Sequence, residues 1–198
     1  SNDLDIRGAG LVFGYKQSGL VSRVGVEHYN SLLKSAINKR LNKPTEDKKT
    51  TLFFWGKSLI PIHYISSGED RFSFYTKIHN AEESADFKDI KNELKDRYGQ
   101  IPKETKSFIN LAEISLLYRD SLVNNININE DSLVFKLPDK FQSAGEKLIS
   151  RILSYQSNSV IKTRFKKEVG SVSVVFLTKK GFDWYDELIN CISLFYKG

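Results

Sequence analysis

The chain has 198 residues, of which 40% are hydrophobic and 27% are charged, a composition typical of a globular protein and not of a disordered or fibrous one. No apolar run approaches the ~20 residues that cross a bilayer, which argues against a membrane partner. Its single cysteine, Cys191, excludes an internal disulfide framework and is typical of a cytoplasmic protein. The net charge of +6 is compatible with a nucleic-acid partner and equally with a solvated, lysine-rich surface.

A glycine-rich stretch over residues 3–19 opens the chain. Gly8 and Gly10 allow backbone conformations that other residues avoid. Near them lie Arg7 and Gln17, whose side chains can each make several directed hydrogen bonds. Glycines that hold such groups within one short stretch predict a functional loop.

This loop does not match the common phosphate-binding patterns. A dinucleotide-binding fingerprint needs a third glycine where the chain has Phe13, and a P-loop needs a lysine where Gly14 is followed by Tyr15. We therefore predict no nucleotide site and no cofactor in this chain. Because the sequence contains no methionine, we also expect it to be a piece of a longer protein.

The next segment predicts a helix followed by a linker. Apolar residues recur at helical spacing up to residue 41, starting from Val26. Residues 42–50 then contain no apolar residue except Pro44, which is typical of a connecting segment. The predicted organisation is a helical N-terminal element over 1–41, a linker over 42–50 and a C-terminal domain over 51–198.

The C-terminal domain is predicted to be of the α+β class, with about five helices and two short strand pairs, because its strands do not alternate regularly with helices. The predicted strands are 51–55, 126–128, 132–137, 160–165 and 171–177, with a short extended piece at 62–65. The predicted helices are 71–79, 85–98, 103–123, 138–155 and 182–196.

Catalytic and metal-binding patterns are not found. His28, His63 and His79 lack the spacing of metal ligands, and Cys191 alone cannot complete a thiolate site. No catalytic residue and no metal ligand is therefore predicted.

Two charged groups are candidates for binding. Glu93 and Asp96 share one face of a predicted helix near its C-terminus, where the helix dipole disfavours carboxylates. This arrangement predicts a basic partner. The basic residues in and after the fourth strand predict phosphate contact, although exposed strand lysines are an equally good explanation. These are Lys162, Arg164, Lys166, Lys167, Lys179 and Lys180.

Two separated stretches together resemble one protein family. Residues 3–10 (DLDIRGAG) with Gln17 and its flanking glycines resemble the translocation motif of the RecG and Mfd DNA translocases. Leu59-Ile-Pro61, Arg71-Phe-Ser-Phe-Tyr75 and Glu93-Leu-Lys-Asp-Arg97-Tyr-Gly99 resemble the C-terminal domain of the Mfd-type transcription-repair coupling factors. The order and spacing match over nearly the whole chain, so the chain is identified as resembling the C-terminal part of that family.

The resemblance implies a role for the whole protein. Such proteins use ATP and Mg to move along duplex DNA, displace stalled RNA polymerase and recruit UvrA for repair. Arg7, Gly8, Gly10 and Gln17 match the motif that couples the ATPase lobes to DNA. The C-terminal module is expected to be no enzyme itself and to dock, through Glu93 and Asp96, on the N-terminal UvrA-binding module.

The sequence also departs from the family pattern. Tyr15 and Lys16 stand where the family has acidic residues, and Ser66-Ser67-Gly68 replaces a Pro-Asp element. The glycine-rich motif alone also resembles RecG, so the alternative is the DNA-binding C-terminal part of a RecG-like branched-DNA helicase.

Overall fold

The computed structural model describes residues 50–138, 145–157 and 161–196. These residues form two compact units, one made of residues 56–113 and the other of residues 50–55 with the described residues from 114 onward. None of the helices in these ranges is long and apolar enough to cross a membrane.

The first unit is helical. It contains helix α1, Gly68–Asn80, helix α2, Ser84–Tyr98, and the first eleven residues of helix α3, Lys103–Leu117. Local signals fix these bounds: Ser67 Oγ accepts a hydrogen bond from the Asp70 amide at 3.2 Å, and Asp86 accepts one from the Glu83 amide at 3.1 Å. Helix α2 ends at Gly99, whose φ of 79° is a left-handed value that favours glycine.

The core of the first unit is built on the apolar faces of these helices. Tyr75 packs edge-on against Phe108, with ring centroids 5.1 Å apart, and its hydroxyl accepts a hydrogen bond from the Ile60 amide at 2.9 Å. The same tyrosine therefore fills the core and anchors the segment before α1. The buried side chains are Ile60, Ile65, Phe74, Tyr75, Ile78, Phe87, Ile90, Leu94, Phe108, Ile109 and Leu111.

The second unit is a five-stranded sheet with helices. Its strands are β1, Thr51–Phe54; β2, Asn125–Ile128; β3, Ser132–Pro138; β4, Lys162–Glu168; and β5, Ser171–Leu177. Their order in the sheet is β1-β2-β3-β5-β4, with β1 parallel to β2 and every other pair antiparallel. The helices are α4, Gly145–Ser157, and α5, Trp184–Cys191, which continues as a 3₁₀-helix, Ile192–Phe195.

One face of this sheet is buried. Strand residues alternate between faces, and the residues on the inner face have almost no solvent exposure. Phe135 lies at the centre, with ring centroids 4.4 Å from Phe195 and 5.1 Å from Phe176. The inner-face residues are Ile126, Ile128, Leu133, Phe135, Leu137, Val174 and Phe176.

The predicted α+β class, the five helices and the two strand pairs are confirmed for the described residues. The structure adds that both strand pairs join β1 in one sheet. Three predicted details are wrong: residues 62–65 form a turn and not an extended piece, α3 ends at 117, and Pro138 ends β3 and does not open a helix. The helical element over 1–41 and the linker over 42–50, except Thr50, lie outside the described residues.

Candidate functional site

The predicted docking residues Glu93 and Asp96 both lie near the end of α2, and their surroundings differ. Glu93 is partly covered, with 34% of its side chain exposed, whereas Asp96 is an exposed residue. The two carboxylates therefore cannot play the same role.

Glu93 is the centre of a charged cluster that joins α1 to α2. Its carboxylate accepts hydrogen bonds from Lys77 Nζ at 2.6 and 2.8 Å and from Arg97 at 3.2 Å. Arg97 also contacts Asp70 at 3.4 Å. The spacing of Glu93 and Arg97 is the i, i+4 spacing that brings opposite charges together on a helix. We call these four residues the Glu93 cluster.

Aromatic rings lie beneath the two cations of the Glu93 cluster. The Arg97 guanidinium carbon is 5.5 Å from the centroid of the Phe74 ring and 5.0 Å from that of Tyr98. Lys77 Nζ is 5.2 Å from the Phe74 centroid. These cation–π contacts restrict where the two basic side chains can lie, so the cluster presents a defined arrangement of charge.

The electrostatics of the cluster favour its charged form. The hydrogen bond from Lys77 is the main reason that the pKa of Glu93 is lowered, and Arg97 acts in the same direction against the opposing effect of desolvation. The hydrogen bond to Glu93 likewise raises the pKa of Arg97. The lowered pKa of Glu93 and the raised pKa of Arg97 both favour the charged forms of these two side chains.

Asp96 differs because its carboxylate is not used within the described part of the chain. No hydrogen bond or ion pair from a described residue reaches it, and the same holds for the exposed Asp89, seven residues earlier on α2. A separation of seven residues is close to two helical turns, so Asp89 and Asp96 share one side of the helix. This side offers unpaired negative charge beside the paired Glu93 cluster.

The second predicted group lies on an edge of the sheet. The exposed residues of β4 include Lys162, Arg164, Lys166 and Lys167, and among the described strands β4 pairs with β5 alone. Alternation along the strand separates Lys167 from the other three, so the group is not one continuous patch. Sequence reasoning missed that β1, with exposed Phe53 and Trp55, lies at the opposite edge of the same sheet.

Two further titratable side chains, those of Cys191 and Tyr118, have structural roles in the core. Cys191 is fully buried, and burial raises the pKa of its thiol to about 12, so it is not a reactive nucleophile. Tyr118 is also buried and donates a hydrogen bond to the Leu188 carbonyl at 2.8 Å. Among the described residues, no group of three or more histidine, cysteine, aspartate or glutamate side chains is placed to hold a metal ion.

Comparison with known proteins defines the class of this chain. Residues 56–148 match the family model described as the TRCF domain. This match begins at the start of the helical unit and extends through β3, so it includes the Glu93 cluster and Asp96. This part of the chain is therefore similar to the TRCF domain.

Similar proteins extend the relationship beyond that domain. The transcription-repair-coupling factor of Haemophilus influenzae is 29% identical over 184 residues, which is 88% of this chain and 16% of that protein. Those of Borreliella burgdorferi (26%, 84% of this chain and 15% of that protein) and Bacillus subtilis (25%, 96% and 16%) are also similar. The chain is a relative of the transcription-repair-coupling factors and spans about one sixth of their length.

A solved structure agrees with the fold. The crystal structure of the C-terminal domain of a transcription-repair coupling factor matches with a TM-score of 0.57 and 15% identity, covering 74% of this chain and 91% of that one. The predicted resemblance to the C-terminal part of this family is confirmed. The coupling residues predicted in the glycine-rich motif, Arg7, Gly8, Gly10 and Gln17, lie outside the described residues.

Proposed function

We propose that this chain is the C-terminal regulatory module of a transcription-repair coupling factor. In this proposal the whole protein is a cytoplasmic, ATP-dependent translocase on duplex DNA, which displaces stalled RNA polymerase and recruits UvrA. The module itself hydrolyses no ATP. It docks on the N-terminal UvrA-binding module of the same protein and hides the UvrA-binding surface.

The observation that carries the proposal is the TRCF domain match together with the charge on α2. The Glu93 cluster pairs two acids with two bases, so its charges balance internally. The negative charge that remains on this side of α2 belongs to Asp89 and Asp96. A partner that presents arginine or lysine side chains is complementary to it.

This arrangement divides the two predicted docking residues between two roles. Asp96 is the residue that pairs with the partner module, because its carboxylate is exposed and unpaired within the described chain. Glu93 is a positioning residue, because its carboxylate holds Lys77 and Arg97 in place. The Glu93→Ala, Asp96→Ala double variant is expected to lose both functions.

Titration calorimetry of this chain against the isolated N-terminal module tests the proposal. We expect measurable binding that weakens about tenfold or more in Asp96→Lys, because like charges facing one another across an interface cost several kcal/mol. The expected weakening is smaller at high salt, where exposed charges are screened.

A matched variant controls for the change in net charge. Asp120 is exposed, with 81% of its side chain accessible, and lies in the other unit. Asp120→Lys makes the same change in charge and is expected to leave the affinity unchanged. Equal affinities of the wild type and Asp96→Lys would remove Asp96 from the interface. Absence of any binding by the wild-type chain would refute the docking function.

A further inference from the structure

The docking function proposed above involves no residue on the outer face of the sheet in the second unit. The inner face is covered by its own core, whereas most side chains of the outer face are half-buried or exposed, with Thr51 and Ser173 as the buried ones. The strand register places Phe53, Asn127, Val134, Val175 and Arg164 in one row across all five strands. This row runs from an aromatic side chain at one edge to a cation at the other.

The β1 edge of this face is aromatic. Phe53 is 38% exposed and Trp55 is 67% exposed. Trp55 follows β1 directly, and its amide donates a hydrogen bond to the carbonyl of Ile128 on β2 at 3.0 Å. This bond extends the pairing of β1 with β2 by one residue. Two exposed aromatic side chains close together at one edge form an apolar patch, and contiguous exposed patches commonly mark binding sites.

The β4 edge of the same face is basic. Lys162, Arg164 and Lys166 occupy alternate positions, so they lie on one side of the strand, about 6.8 Å apart. Lys162 and Arg164 make no ion pair with any described carboxylate. Lys162 and Arg164 therefore offer positive charge that no described carboxylate neutralises.

The centre of the face connects the two edges and carries one charge, that of Lys136 on β3, which pairs in the register with Asn125 and Ser173. Asn127 on β2 offers an amide group, and Val134 and Val175 present a shallow apolar floor. Five strands at about 4.8 Å spacing separate the aromatic edge from the basic edge by about 19 Å. This distance is on the scale of a few nucleotides.

We propose that this outer sheet face binds a single strand of DNA. Bases stack on Phe53 and Trp55, and phosphates contact Lys162 and Arg164 at the other edge. Exposed aromatic rings together with a positively charged surface are the combination by which proteins hold single strands without reading sequence. An acidic protein segment would match the basic edge but would not use the aromatic one.

The choice of DNA over RNA rests on the proposed function as part of a DNA translocase, whereas the single-strand chemistry rests on the sheet itself. The docking surface on α2 and this sheet face belong to different units. Failure of one proposal therefore leaves the other standing, and separate variants test them.

Fluorescence anisotropy with a labelled 12-nucleotide oligo-dT tests the inference on the 198-residue chain. We expect binding whose affinity falls with salt, with a slope of about 0.7 per phosphate contact for a single strand. Lys162→Gln with Arg164→Gln is expected to lower that slope by about 1.4. Phe53→Ala with Trp55→Ala is expected to weaken binding at least fivefold for each ring removed.

A second readout reports stacking directly. The chain has two tryptophans, Trp55 and Trp184, and Trp184 packs against Phe54 on the inner side. In a Trp184→Phe background the emission comes from Trp55 alone, and we expect oligo-dT to quench it. Unchanged emission at saturating oligo-dT would overturn the stacking role.

Matched variants make the test specific. Lys88→Gln with Lys95→Gln removes two exposed lysines from α2, and Phe165→Leu changes an exposed ring on the opposite face of β4. Both are expected to leave affinity and slope unchanged, and far-UV circular dichroism checks that every variant is folded. Tighter binding of a duplex or of oligo-rU, or wild-type affinity in the Phe53/Trp55 variant, would overturn the proposal.

Discussion

The ion pair of Glu93 gives the sharpest test of the candidate surface, because it links a defined geometry to the pH dependence of stability. We predict that Glu93→Gln lowers the free energy of unfolding by about 0.5–1 kcal/mol at pH 7. The carboxylate accepts three hydrogen bonds from Lys77 and Arg97, at 2.6, 2.8 and 3.2 Å. The three groups are 34 to 45% exposed, and each exposed ion pair contributes about 0.2–1 kcal/mol.

The pH dependence has a definite sign. Folding lowers the pKa of Glu93, chiefly through the hydrogen bond from Lys77. The stabilisation is therefore fully present above the ordinary glutamate pKa of about 4.3 and is lost as the pH falls through the lowered value. The difference in unfolding free energy between wild type and Glu93→Gln should shrink toward zero below that range.

Urea unfolding of the two proteins between pH 3 and pH 7 measures this difference. Asp89→Asn is the matched control, since it removes the same charge four residues away, where no described residue pairs with it, and should change stability by less than about 0.5 kcal/mol. An effect of Glu93→Gln that is independent of pH, or equal to that of the control, would refute the assigned ion pair.

Two further predictions concern the core of the second unit. Phe135→Ala should destabilise the chain by about 3–5 kcal/mol, because Phe135 is fully buried against Phe195 and Phe176. Phe53→Ala removes an exposed ring and should cost less than about 1 kcal/mol. Similar losses of unfolding free energy in urea would contradict the assigned faces of the sheet. Cys191 should not react with a thiol reagent at pH 8 until the protein is denatured, because the thiol is buried and its pKa is raised to about 12. Rapid labelling of the folded chain would contradict the buried position of this thiol.

The sequence predicts the elements of this fold well where the local signal is strong. The apolar seam of α2, with Phe87, Ile90 and Leu94, and the stop at Gly99 mark that helix to within one residue of its start. The alternation in residues 132–137 likewise identifies β3 and its inner face. These features depend on neighbours in the chain, which is the information that a sequence pattern contains.

Other features depend on distant residues and could not be predicted. The parallel pairing of β1 with β2 joins Thr51 to Asn125, and no local signal connects them. The sequence around Pro138 predicts the start of a helix, but Pro138 pairs with Ser171 and belongs to β3. At the candidate site, no sequence pattern predicts that Glu93 on α2 pairs with Lys77 on α1. The sequence therefore assigns Glu93 and Asp96 the same role, whereas in the structure Glu93 is paired and Asp96 is not.

Competition with UvrA tests the central claim most directly. The N-terminal module of the parent protein is bound to UvrA, and this chain is added at increasing concentration while the UvrA complex is followed by size-exclusion chromatography. If the chain is the docking module that hides the UvrA-binding surface, it displaces UvrA, and Asp96→Lys does so only at about tenfold higher concentration or above. A stable complex of all three components, with UvrA still bound, would contradict the account.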